Sequence, residues 1–258
     1  MIRDCRDNKP EGWRYLIAQY IPVIRQYLAH YYKGRAADIK LIERVMMKLR
    51  DAQSPLFASP GAGTEREFVA ALRGKVLEAV ELDKASVEAE VPLDLETMTA
   101  ALEPLTAMER QMLWMEAMAY TPEETGTLMN LEPSTIAKVR ERAEELLRGK
   151  MDRWKKGIVA DNGFALGRMA GAASGKDCLP GKACLDTLDG RITWKRKQDY
   201  DYHVARCWYC VDYFCRLREG DFALRIARPL SAEEAAQFQT LLSVVEEEKP
   251  FWKKVFAR

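Results

Sequence analysis

His203, Cys207 and Cys210 stand in a His-x3-Cys-x2-Cys arrangement. Two thiols at that spacing meet one ion around a tight turn, and an imidazole four residues earlier reaches the same ion from the preceding helical turn. Sulfur and nitrogen ligands suit zinc, which favours a tetrahedral set, and four protein ligands make the site structural, with no open position for catalysis. On the residues alone the fourth ligand comes from Cys178, Cys184 or Cys215, since five of the six cysteines lie between Cys178 and Cys215. Cys215, in an aromatic helical stretch, reads as a core thiol. In a reducing compartment such clustering fits metal binding better than a disulfide framework. A thioredoxin-like role for Cys207 and Cys210 needs alternating strands and helices around them, and the flanking sequence lacks that pattern.

A second candidate chemistry is nucleic-acid contact. From Thr121 to Leu147 the chain reads TPEETGTLMNLEPSTIAKVRERAEELL, a short capped helix, a break at Asn130 to Pro133, and a longer helix. This spacing suits a helix-turn-helix whose second helix presents its N-terminal side chains to the major groove, with Ser134, Thr135, Lys138 and Arg142 as the candidate DNA contacts. Residues 138–156 hold eight basic against four acidic residues, a local excess able to engage phosphates. An ordinary helical hairpin with a solvated charged face has the same spacing. His30, in His30-Tyr31-Tyr32, reads as a surface or packing residue.

The elements that must position these residues are helical. Trp13, Leu16, Ile17, Tyr20, Ile24, Tyr27 and Leu28 recur at three and four, as do Leu41, Ile42, Val45, Met46 and Leu49, and then Phe68, Leu72, Val76 and Val80. Thr106 with Glu109, Thr121 with Glu124, and Ser231 with Glu234 are capping-box pairs that open helices. The expected fold class is all-α. Its segments are residues 1–83, a linker at 84–102 around Val91-Pro92, a helix-turn-helix unit at 103–156, a glycine-rich flexible linker at 157–177, and a helical metal-binding unit at 178–258 that includes a C-terminal helix ending near Lys249-Pro250.

With 258 residues and 40 Lys plus Arg against 39 Asp plus Glu, the chain is neither disordered in bulk nor globally polybasic, so any nucleic-acid contact is a local patch. No apolar run reaches the roughly 18 residues of a membrane span, and the polar N-terminus is no signal peptide, so a cytoplasmic protein without membrane contact is expected. With no phosphate-cradling loop, nucleophile elbow or HExxH site, an enzyme is not expected.

The run LEPLTAMERQMLWMEAMAYTPEETGTLMNLEPSTIAKVRERAEELLR resembles the C-terminal promoter-reading region of bacterial sigma factors of the extracytoplasmic-function group. WRYLIAQYIPVIRQYLAHYY with ADIKLIERVMMKLRD is similar to the helices of that family's core-polymerase-binding domain, and REFVAALRGKVLEAVELD to its minus-ten melting segment. The stretch Cys178 to Cys210 resembles the zinc-binding anti-sigma domain, in which a Cys or His precedes a Leu-Asp-Gly by about eleven residues, here Leu188-Asp189-Gly190, before His-x3-Cys-x2-Cys. That resemblance implies Cys178 as the fourth ligand, since Cys184 falls where the family has a buried apolar residue. It also implies two small sigma-like helical domains and a fused zinc domain. Core RNA polymerase and promoter DNA would be partners, and the zinc domain would dock on its own sigma-like domains and silence them. The chain departs from the sigma pattern at Arg44, Ala71, Glu78, Glu81, Asp83 and Arg140, which thins the aromatic and basic content that single-strand capture uses. The alternative expectation is a sigma-like protein that sequesters a partner without initiating transcription.

Overall fold

Local capping chemistry sets the helix starts. Thr106 and Thr121 each accept from the amide three residues on, while Glu109 and Glu124 reach back to the cap amides. Ser231 and Glu234 exchange the same pair of bonds. The computed structural model describes residues 1–32, 38–50, 63–84, 96, 99–100, 102–146 and 164–241. Among them the fold is all-helical, with no strand: α1 (Ile2–Arg6), α2 (Pro10–Tyr31), α3 (Ile39–Arg50), α4 (Glu65–Lys84), α5 (Ala107–Ala117), α6 (Pro122–Met129), α7 (Pro133–Leu146), α8 (Phe164–Ala172), α9 (Gly181–Leu188), α10 (Trp194–Val204), α11 (Trp208–Ile226) and α12 (Ala232–Leu241).

The apolar stripes of α2, α3 and α4 face one another, and Leu16, Ile24, Val45, Leu49, Phe68 and Leu72 are fully or almost fully buried. Tyr20 packs edge-on against Phe68. Helices α5, α6 and α7 form a second cluster around Leu113, Trp114, Leu128, Ile136 and Val139. Between α6 and α7 the chain turns through Asn130, which adopts the left-handed conformation that asparagine tolerates. Gly126 makes the turn fit, because a Cβ there would lie 2.6 Å from the carbonyl oxygen of Leu131.

Helix α11 joins the two clusters. It packs against α2 and α4 on one side and α5 and α6 on the other, and Trp208, Val211, Asp212, Phe214, Leu217 and Glu219, which step around its circumference, are all buried. Gly220 permits the crossing with α4, since a Cβ there would sit 3.2 Å from Val69 Cγ1. The C-terminal α12 lies on α2, with Phe238 buried and Glu234 paired with Arg25 at 2.8 Å.

The glycine-rich stretch expected as a loose tether is corrected in part. Phe164–Ala172 forms α8, Ala170 is buried, and the helix packs against α11. Glycine costs a helix about 1 kcal/mol per residue, so this packing against α11 is the support the local sequence does not supply. The linker's end is also engaged, since Leu102 is buried and the Thr99 hydroxyl accepts from Trp208 Nε1 at 2.7 Å. The basic residues Arg148, Lys150, Arg153, Lys155 and Lys156 and the expected continuation of α12 beyond Leu241 lie outside the described residues.

Candidate metal centre

Helix α10 delivers His203 in its last turn, and Ala205 and Arg206 carry the chain to Cys207, which caps α11. Cys210 follows in the first turn of α11, and Cys178 enters from the loop ahead of α9. The four ligand atoms all lie within 4.8 Å of one another. Cys178 Sγ is 3.7 Å from Cys207 Sγ, and His203 Nε2 is 3.2 Å from Cys210 Sγ. Around a tetrahedral ion with metal–sulfur bonds of about 2.3 Å and metal–nitrogen bonds of about 2.0 Å, ligand atoms stand roughly 3.5 to 3.8 Å apart. These Cys3His side chains therefore form a cluster able to hold a metal ion with little movement.

Backbone amides already address the sulfurs. Gly175 N–H donates to Cys178 Sγ at 3.2 Å, the Cys210 amide to Cys207, and the Leu179 amide to Cys210. Such bonds favour the thiolate and orient it, the outer support that metal ligands need. The Cys207 thiol is pulled down to about 5, first by the hydrogen bond that Cys210 donates to it, and Cys210 is correspondingly raised. Without metal the pair keeps one proton between them, and binding a cation releases it.

The other thiols stay apart. Cys184 is buried within α9, and burial, followed by the nearby Glu67, pushes its thiol up to about 12. Cys215 is fully buried, raised by burial, with its thiol 3.7 Å from the Gln111 carbonyl oxygen. Of the candidates for a fourth ligand, Cys178 alone is brought to His203, Cys207 and Cys210.

Further along α11 lies a charged network that sequence reasoning did not find. Arg73 of α4, almost fully buried, pairs through Nε with Glu219 at 2.6 Å and through Nη1 with Asp212 at 3.4 Å. Tyr31 donates to Glu219 and accepts from Arg73 Nε at 3.0 Å. Trp114 Nε1 donates to Asp212 at 2.9 Å, and Arg216 pairs with the other oxygen of that carboxylate at 2.9 Å. Burial is the largest influence and opposes the charge on Arg73, and Glu219, Tyr31 and Asp212 together more than offset it. Arg66 adds a second tie, pairing with Asp189 at 2.7 Å and with Asp221. Asp212 and Glu219 are seven apart on an aromatic helix, two turns on one face, and that spacing was the available signal.

On the helix-turn-helix, Ser134, Thr135 and Lys138 are exposed along α7. Arg142 is exposed as well, and its guanidinium pairs within the unit, with Nη1 on Glu109 at 2.9 Å and Nη2 on the Pro104 carbonyl at 3.2 Å. Arg140 pairs with Glu116 and Glu144. His30 is a packing residue, stacked on Tyr120 at 3.7 Å with Nε2 2.9 Å from the Met118 carbonyl. No helix among the described residues is long and apolar enough to cross a membrane. Comparison with protein-family models, with curated proteins and with solved structures gives no match to this chain.

Proposed function

We propose that this chain is a sigma-factor-like regulator of transcription initiation, and that its own zinc-binding segment holds it in a closed form. In this reading α2 to α4 engage core RNA polymerase, and α7 presents Ser134, Thr135 and Lys138 to promoter DNA. The Cys3His cluster is a structural zinc site that fixes the start of α11. Three thiolates and an imidazole are the donor set zinc favours, and no open position is left for a substrate. The observation that carries the proposal is the burial of α11 between the two helical clusters, where Glu219 and Asp212 take up Arg73, Tyr31 and Trp114. A helix so placed occupies surfaces that polymerase and promoter would otherwise share, and release requires breaking buried ion pairs.

One observation favours a sequestering protein as the second reading. Lys75 is 3.0 Å and Lys48 3.6 Å from Glu78, so cations near the melting segment are occupied within the chain. The side chains of Glu81 and Asp83 lie outside the described ones. Run-off transcription with core polymerase and a promoter library tests both readings, comparing the full chain, Glu219→Gln, and a chain ending at Lys156. Initiation by the altered forms and not by the full chain is expected. Polymerase binding without initiation by any form selects sequestration, and no polymerase binding at all refutes both.

A further inference from the structure

A second polar site lies where α5 meets the turn between α10 and α11. Arg110 of α5 is only 1% exposed, yet no carboxylate among the described residues forms an ion pair with it. Its Nη2 donates to the Thr99 carbonyl at 3.2 Å, its guanidinium sits 5.5 Å from the centre of the Trp208 ring, and its Nε has no hydrogen-bond partner. A buried guanidinium in this state is costly, because the water it has lost is replaced by no carboxylate in contact and only by the more distant Glu103. Arg206 adds a like charge. Burial first, and then Arg206, pull the Arg110 guanidinium down to about 10, and Glu103 opposes them.

Arg206 is held in place by its own contacts. Its Nη1 donates to the Tyr202 carbonyl at 3.2 Å, and its guanidinium lies 3.8 Å above the Tyr202 ring. Its acid partner, Glu103, stands 3.8 Å away and is largely in solvent. Both arginines line one pocket of about 410 Å3, together with Thr99, Ala100 and the carboxylates Glu96 and Glu103. We propose that this pocket binds a small molecule bearing an oxyanion, carboxylate or phosphate, which bridges Arg110 and Arg206 and displaces Glu103 from Arg206. Guanidinium groups are suited to such ligands, since each offers paired N–H donors to two oxygens. A bound anion would tie α5 to the turn that carries Cys207. The inference does not depend on the transcriptional reading.

The test uses the full, metal-loaded chain at fixed ionic strength, titrated calorimetrically with inorganic phosphate and separately with succinate. One saturable site is expected for at least one probe, and whichever probe binds identifies the oxyanion. Arg206→Gln, at an exposed position, should weaken that binding by about tenfold, and Glu103→Gln, which removes the competing carboxylate, should tighten it by roughly threefold. Metal stoichiometry and helical circular dichroism report that each variant is folded. Absence of saturable binding by both probes overturns the proposal, as does binding that Arg206→Gln leaves unchanged.

Discussion

Helix α11 carries charge at two places in different ways. At its N-terminus the ligands come from nearby sequence, with Cys178 and Cys207 separated by 29 residues. In its middle, Glu219 meets Tyr31 across 188 residues and Asp212 meets Trp114 across 98. The first site is a local module that a cation can close. The second exists only when α2, α4, α5 and α11 are all assembled, so it reports whether the segments are packed together. A molecule built in this way can lose one end of α11 without losing the other, and that separation can be measured.

The largest effect is expected from breaking the metal end. Structural zinc sites in small peptides bind with about 10–16 kcal/mol, comparable to or above the stability of an entire domain. Among the described residues of α10 only Val204 is buried, so His203 is its main anchor. Chelation, or Cys207→Ser, should abolish metal binding and strip hydrogen-exchange protection from α9 and α10. Amides of α11 from Phe214 to Gly220 should stay protected. Simultaneous loss of both sets would show that the two ends are one unit.

The middle of α11 is expected to yield the next effect. Glu219→Gln leaves the buried Arg73 without its closest charge, which for a broken buried pair costs about 3–5 kcal/mol in urea denaturation. Metal content should not change. Because replacing both partners by apolar side chains of similar volume is often neutral, Arg73→Met with Glu219→Leu should cost less than either single change. Additive costs would remove the pair from its central place.

The difference between the two ends also explains what was legible beforehand. His203, Cys207 and Cys210 announce themselves by spacing, because a metal site of this kind is assembled within one turn. The helix starts at Thr106, Thr121 and Ser231 are equally local, and the stripes of α2 to α4 follow from period alone. The choice of Cys178 over Cys184 is different. Both thiols flank the same Pro180-Gly181, and only the start of α9 at Gly181 turns Cys184 inward and leaves Cys178 in the loop. Arg73 carries no sign of its partners, since a lone arginine on an amphipathic helix looks solvated until α11 is laid against it. The same contact produces α8 from a glycine-rich stretch, because packing against a neighbouring helix is invisible to local propensity. Arg142, a candidate DNA contact, is exposed on α7 and also pairs with Glu109 and the Pro104 carbonyl, a contact set by the fold of α5 against α7.

A smaller effect is expected in the α6–α7 turn, away from both ends of α11. Gly126→Ala forces a Cβ to within 2.6 Å of the Leu131 carbonyl oxygen, and relieving a backbone clash of that kind costs about 1–3 kcal/mol. Protection in α7 should fall while the metal cluster and the Arg73 network keep theirs. Coupled loss across all three regions would mean that the helix-turn-helix does not open separately.

The smallest effect concerns His30, which links α2 to Met118, the residue that ends α5. Burial lowers its pKa from 6.5, and the bond to the Met118 carbonyl only partly restores it. The unfolded chain therefore takes up a proton more readily than the folded one. The stabilisation from a neutral His30 is fully present above the unfolded pKa, and it is lost as pH falls from about 6.5 through the lower folded value. Thermal melts of the full chain between pH 7.5 and pH 5 should show a steeper fall than those of His30→Gln, which keeps a donor for Met118 and does not titrate. Parallel curves would assign the acid sensitivity to the candidate metal cluster at the start of α11, since protons compete with a cation for such ligands. In that case melts repeated on the metal-free chain should lose most of their dependence on pH in this range.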